Sequence, residues 1–120
     1  MKKMHNRNVG IYGENIATNY LLKHGYTILG RNFYTYKGEI DIIASINDEI
    51  VFLEVKTRLN KSFGNGAESV NKRKMKHFIS ASKYYLYSNN IFNKKIRFDI
   101  IEIKIASGKY KINHIKNIFF

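Results

Sequence analysis

The stretch Gly38-Glu39-Ile40-Asp41-Ile42-Ile43-Ala44-Ser45-Ile46-Asn47-Asp48-Glu49-Ile50-Val51-Phe52-Leu53-Glu54-Val55-Lys56 decides how this chain is read. Two apolar runs flank Asn47-Asp48, a dipeptide suited to a two-residue hairpin turn, and they predict strands over Glu39–Ser45 and Ile50–Thr57. With a loop of two residues Ile46 faces Glu49, and the numbers of every directly opposed pair sum to 95. Asp41 then stands opposite Glu54 and Glu39 opposite Lys56. Alternation along the strands puts all four side chains on one face. A slip of one residue in the register would separate them.

Opposed carboxylates on neighbouring strands repel. These two also lie in strands apolar enough to be covered on both faces, where an uncompensated charge costs several kcal/mol, on the order of the desolvation of a polar group. A bound divalent cation is the simplest compensation, and an all-oxygen donor set favours Mg²⁺ or Mn²⁺ over zinc. Such an ion activates water and offsets charge at a phosphorus centre. Lys56 beside it is placed to orient or deprotonate that water, or to stabilise the transition state. The bland alternative is a set of cross-strand salt bridges on a half-wet sheet. It accounts for Glu39 with Lys56 and leaves Asp41 against Glu54 unexplained.

Outward from the hairpin, residues 9–24 read as a helix with Ile16, Ala17, Tyr20 and Leu21 on one face and Gly25 at its end. Tyr26–Phe33 reads as a strand and Tyr36-Lys37-Gly38 as a turn. Arg58–Glu68, with Gly64 and Gly66, reads as a mobile loop. Residues 70–88 give a second helix, Arg97–Ile105 a strand, and Ser107-Gly108-Lys109 a turn into a last strand, Tyr110–Ile115. The expected order is α-β-β-β-α-β-β: an α/β fold with a central mixed sheet and helices packed on it, one domain over residues 1–120.

The charge names the partner. Lys and Arg number 21 against 9 Asp and Glu, a formal +12 over 120 residues. Ile, Lys and Asn make up 48 of the residues, the bias of a chain coded by AT-rich DNA, so part of that excess belongs to an ordinary solvated surface. Its distribution is more telling. From Lys56 to Lys83 there are eight basic residues, among them Arg58, Lys72, Arg73, Lys74 and Lys76, against Glu68 alone. This stretch is the expected footprint of a polyanion. Cysteine is absent, which removes disulfides, thiolate catalysis and Cys-type zinc sites. No apolar run spans a membrane and no h-region follows the basic N-terminus, so a cytoplasmic protein is expected.

Gly38-Glu39-Ile40-Asp41, a hairpin, then Glu54-Val55-Lys56-Thr57-Arg58 resembles the PD-(D/E)xK nuclease core of the restriction-endonuclease-like fold, which includes the archaeal Holliday-junction resolvases. Over nearly its whole length the chain looks still more like the small, uncharacterised YraN-type family of bacterial proteins, described as predicted endonuclease-like. The resemblance takes in Gly13-Glu14 with Ala17, Gly25-Tyr26, Arg31-Asn32, Val70 with Lys74, and Arg97-Phe98-Asp99. It implies a restriction-endonuclease-like α/β/α architecture, Asp41 and Glu54 as metal-binding acids, and Lys56 as the catalytic lysine. The Val55 carbonyl would be a further metal ligand. Glu14 matches the first-helix acid that resolvase-like enzymes direct at the metal, and the line Gly10, Glu14, Ala17, Leu21 along one edge of the helix allows it. Glu39 is either a supporting group behind the ligands or a partner for Lys56. Ile40 replaces the proline of the motif's Pro-Asp pair, at a position that varies widely across the superfamily.

Around this centre, Lys74 lies beside the apolar stripe of its helix and either leans over the sheet toward a phosphate or snorkels, whereas Arg73 and His77 point mainly to solvent. Arg58 suits a phosphate clamp. The tyrosines and phenylalanines divide between core packing and stacking on splayed bases. The expected function is a Mg²⁺- or Mn²⁺-dependent endonuclease acting on nucleic acid, DNA first and branched or junction DNA included; a two-fold homodimer would suit cutting both strands of a junction. The competing reading is a non-catalytic nucleic-acid-binding module that kept the fold.

Overall fold

The computed structural model describes residues 6–59 and 72–118. Along them run α1 (Asn6–Lys23), β1 (Thr27–Thr35), β2 (Gly38–Ile46), β3 (Glu49–Leu59), α2 (Lys72–Ser88), β4 (Lys95–Ala106) and β5 (Lys109–Ile115), the order expected from the sequence. The elements end within a few residues of their expected bounds. The expected loop Arg58–Glu68 starts later than the sequence suggests, since Arg58 and Leu59 end β3, and its remainder and Val70 lie outside the described residues.

The five strands form one mixed sheet in sequence order. β1, β2 and β3 make an antiparallel meander, α2 carries the chain across to β4 parallel to β3, and β5 returns antiparallel to β4. The parallel step requires a crossover, and the helix supplies it. The loop Asn47-Asp48 has φ of 46° and 66°, the two left-handed residues of a tight hairpin turn that matches strand twist.

Each face of the sheet carries its own core. On one side Ala17 and Leu21 of α1 pack on Ile42, Val51, Leu53 and Ile101. On the other, Phe78 and Ala81 of α2 pack on Ile43, Ile50 and Phe52. Burial on both faces is why the central strands read as continuous apolar runs. Two glycines set how closely the helices approach. A Cβ on Gly13 would lie 1.9 Å from Thr57 Oγ1, and one on Gly38 2.5 Å from the His77 carbonyl oxygen. Both contacts sit at the same end of the sheet, and they bring α1 and α2 down on the strands that carry the acids. No helix among the described residues is long and apolar enough to cross a membrane.

The hairpin keeps the predicted register over five pairs, from Ile46–Glu49 to Ile42–Leu53. Beyond them the ladder stops, so the expected directly opposed pairs Asp41–Glu54 and Glu39–Lys56 do not form as ladder pairs. The reason is a change of phase in β2. Ile40 and Ile42 are two residues apart, yet Ile40 is buried in the α2-side core and Ile42 in the α1-side core. On β1, at the same level, Asn32 takes φ of 52° between the pairs Arg31–Ile42 and Phe33–Ile40. β3 meanwhile stays paired with β4 as far as Leu59. The two central strands therefore fork at Asp41.

Candidate active site

Asp41 occupies the fork. Its Oδ2 accepts a hydrogen bond from the Val55 amide at 2.8 Å, so a side chain takes a strand N–H just past the point where β2 stops pairing. Burial, then the negative charges of Glu54, Glu14 and Glu39, push the Asp41 carboxyl up to about 6, against the opposing effect of the Val55 hydrogen bond. Four carboxylates thus share one field. The fork opens into a cleft of about 430 Å³ lined by Gly38, Glu39, Asp41, Glu54, Val55, Lys56, Lys74, His77 and Phe78. That volume is within the usual range of small-ligand sites.

Glu54 and Lys56 project from β3 on the α2 side. Lys56 Nζ lies 3.0 Å from Glu54 Oε1, and Lys74 Nζ from α2 reaches the same oxygen at 3.2 Å. Lys56 therefore pairs with Glu54 of its own strand, where the sequence offered Glu39 as its partner. Burial, then hydrogen bonding with Lys74, lowers the Lys56 pKa, and the Glu54 carboxylate opposes the change. Lys74 moves the other way, chiefly through its hydrogen bond with Lys56. The lysine of the second helix does lean over the sheet. His77, expected to face solvent, is exposed but also walls the cleft.

Glu14 approaches from α1. Its Oε1 accepts from Asn32 Nδ2 at 2.8 Å and pairs with Arg31 Nη2 at 3.2 Å. It lies close enough to Asp41 to act on its ionisation. Glu39, past the change of phase, is exposed at the rim. Among the described residues no three acidic or imidazole groups converge into a ready-made metal cage. Asp41 and Glu54 are nevertheless a two-carboxylate donor set of hard oxygens in one cleft. Mg²⁺ is ordinarily held by one or two carboxylates, with waters and substrate phosphate completing its shell. The buried, crowded Asp41 carboxylate is the feature that fits a divalent cation.

The remaining expected binding residues divide. Lys72, Arg73 and Lys76 are exposed on the first turns of α2, outside the cleft lining. Arg58 is turned inward. Its Nε lies 4.0 Å from Oε2 of Glu102, a residue only 2% exposed, and neither atom has a hydrogen-bond partner. Glu102 neighbours Lys56 across the parallel ladder and is the residue that sequence reasoning missed. A signal was present: it is a lone acid in the run Ile100-Ile101-Glu102-Ile103, just as Asp41 and Glu54 are acids in apolar strands.

Asp99, in the same strand, belongs to a different cluster. It accepts from Arg97, from His114 Nε2 at 2.7 Å and from the Asn117 amide at 2.9 Å, while Tyr20 meets the other ring nitrogen of His114 at 2.9 Å. Burial would raise the Asp99 pKa, but these hydrogen bonds and the Arg97 charge hold it below the usual carboxylate range. The cluster ties β4, β5 and α1 together, away from the cleft.

The family model described as Uncharacterised protein family UPF0102 matches residues 13–103. A UPF0102 protein of Clostridium perfringens strain 13 is 49% identical over 120 residues, 98% of each chain. One of Clostridioides difficile strain 630 is 47% identical over 116 residues, 97% of this chain and all of its own. One of Syntrophomonas wolfei is 46% identical over 114 residues, 95% of this chain and 99% of its own. The matched span runs from the close approach at Gly13, through the forked hairpin, into β4, and the chain belongs to UPF0102, the family of the YraN-type proteins.

Proposed function

We propose that this protein is a metal-dependent endonuclease that hydrolyses phosphodiester bonds of DNA in the cytoplasm. Asp41, Glu54 and the Val55 carbonyl would hold Mg²⁺ or Mn²⁺, with waters and substrate phosphate completing its shell. Glu14, the further ligand that the resemblance implies, would have to leave Arg31 and Asn32 to join them. One observation carries the reading: the buried Asp41 carboxylate, Glu54 and the Lys56–Lys74 pair meet in a single open cleft on a strongly basic chain. When bound, the divalent ion supplies an acidified water and offsets charge on the phosphorus centre.

The chain's own groups do the rest. The Val55 amide fixes Asp41 at the apex of the fork. Lys56 Nζ, held at Glu54 in the cleft, assists the nucleophile, by orienting or deprotonating the attacking water or by offsetting charge in the transition state. Lys74 stands at the mouth of the cleft, where a phosphate oxygen can replace Glu54 as its partner. Lys72, Arg73 and Lys76, exposed along α2, bind the flanking phosphates. A two-fold dimer would let two such clefts cut both strands of a junction.

The test is cleavage of end-labelled duplex, single-stranded and four-way-junction DNA with Mg²⁺, Mn²⁺ or EDTA. Metal-dependent cutting lost in Asp41→Asn and in Lys56→Ala supports the assignment. Tight binding with no cutting under any metal replaces it with a nucleic-acid-binding module.

A further inference from the structure

The aromatic side chains that the sequence left divided between core and stacking are separated by the fold. Phe33, Tyr85, Phe52 and Phe98 pack on one another, with Phe33 5.4 Å from Tyr85 and Phe52 5.8 Å from Phe98 between ring centroids. Tyr34 and Tyr36 do not join them. They are 67% and 89% exposed at the tip of the β1–β2 hairpin.

That tip borders the cleft. Tyr34 is directly opposite Glu39, and Thr35 directly opposite Gly38; both opposing residues line the cleft. Opposed residues of an antiparallel pair share a face, so Tyr34 stands beside Glu39. Both are on the α1 side of the sheet, because their neighbours Phe33 and Ile40 pack on the α2 side, and the pair meets the cleft at its rim. The hairpin holding the rings is well tied. Thr35 Oγ1 accepts from the Lys37 and Gly38 amides at 3.0 and 3.1 Å, and Phe33 roots the strand against α2. Tyr34 donates to Asn32 Oδ1 at 3.4 Å, and Asn32 in turn donates to Glu14. Lys37 Nζ lies 5.6 Å from the centre of the Tyr36 ring, which puts a cation beside the aromatic face.

We propose that Tyr34 and Tyr36 form a stacking platform for unpaired nucleobases at the rim of the cleft, so that single-stranded or splayed DNA is engaged in preference to continuous duplex. The proposal rests on the reading that the cleft acts on nucleic acid. Exposed rings gain little from duplex DNA, whose base faces are covered by their neighbours. An unpaired base offers a free face of any sequence, with its phosphates drawn by the +12 charge. A platform joined to the Asn32–Glu14 pair then positions the strand against the proposed metal-binding acids.

The experiment measures binding of labelled single-stranded DNA and of the matching duplex by fluorescence anisotropy over a range of salt, in EDTA so that nothing is cut. Wild type is expected to favour the single strand. Tyr34→Ala with Tyr36→Ala is expected to lose roughly tenfold in affinity for it, the scale of one or two stacked bases, with duplex affinity and the salt slope unchanged. Tyr34→Phe with Tyr36→Phe retains binding. If the double alanine variant folds poorly, Tyr36→Ala alone, at the more exposed position, carries the same comparison. Equal losses on both DNAs, no loss, or phenylalanine variants as weak as alanine variants overturn the platform. Wild type that prefers the single strand but never cuts defeats the endonuclease reading and leaves the platform standing. Wild type that cuts but shows no tyrosine dependence defeats the platform alone.

Discussion

The amide of Val55, two residues past Leu53, donates at 2.8 Å to the carboxylate of Asp41, one residue from Ile42, just beyond the last ladder pair of the central hairpin, Ile42 with Leu53. The bond closes the apex of the fork and makes β3 the holder of an acid that belongs to β2. Because Glu54 and Lys56 flank Val55 on the same strand, Asp41 is positioned against both by backbone geometry. Supports of this kind keep a functional group in place more tightly than a free rotamer can.

Such a site works against the stability of the empty protein. The folded pKa of Asp41, about 6, lies above its unfolded value near 3.8, so its ionisation disfavours folding. The penalty is fully present above pH 6, shrinks as pH falls toward 3.8, and is absent below that. It amounts to on the order of 3 kcal/mol at neutral pH for a shift of this size. Asp41→Asn, which still accepts the Val55 hydrogen bond, is expected to be about 1–3 kcal/mol more stable than wild type in EDTA at pH 7.5. Urea melts should show the gap closing by pH 4. A variant less stable than wild type at neutral pH would contradict the crowding of acids around Asp41.

Lys56 and Lys74 share Glu54 Oε1, and the proposed function gives them different tasks. Lys56→Met removes the group proposed to assist the nucleophile, and cleavage should fall by roughly 10²–10⁴-fold, the range of acid–base effects, with DNA affinity little changed. Lys74→Met removes a phosphate partner at the rim and should weaken affinity along with the rate. Single-turnover cleavage and equilibrium binding measured side by side separate the two. Equal effects of both substitutions on affinity would remove the distinction between a catalytic and a binding lysine.

Part of this site is legible in the residues. The Asn47-Asp48 turn and its flanking apolar runs fix the register, and the register brings Asp41, Glu54 and Lys56 to one end of one hairpin. The fork is not legible, because nothing in the alternation of β2 marks a phase change at Asp41. It coincides with contacts distant in sequence: the left-handed Asn32 on the neighbouring strand, and α2 pressing its His77 carbonyl on Gly38. The partner of Lys56 was misplaced for the same reason, since an ideal ladder would have put Glu39 across from it. Asp99 and Glu102 stand on the same physical ground as Asp41, being acids in an apolar strand. Which of them has hydrogen-bond partners depends on β5 and on Asn117, more than ten residues downstream.

Asp99 shows the opposite pH behaviour to Asp41. With its pKa held below the ordinary 3.8, it contributes stability that is present above that value and lost as pH falls through the folded pKa. Asp99→Asn leaves Arg97 and His114 without their anion and is expected to cost about 2–4 kcal/mol at pH 7, within the range for breaking a buried charged network. Measured as a function of pH, the difference from wild type should narrow below pH 4. Cleavage by the folded fraction should be unchanged, since the cluster lies outside the cleft.

Glu102 and Arg58 form a slack pair, 4.0 Å apart with an unsatisfied atom on each side, next to Lys56 in the sheet. Removing the cation leaves a buried carboxylate alone, whereas removing both replaces the pair by apolar packing. Arg58→Met should therefore destabilise by roughly 2 kcal/mol, the lower end for a buried pair because the Arg58 side chain is a third exposed. Arg58→Met combined with Glu102→Leu should recover most of that loss. The two substitutions are non-additive on this account, and a double-mutant cycle in urea tests it directly. Strict additivity would mean that Arg58 and Glu102 do not interact in the folded protein. Arg58 would then owe its inward pose to packing of its aliphatic stem, and it would be free to serve as the phosphate clamp that its position just past Glu54 and Lys56 suggests.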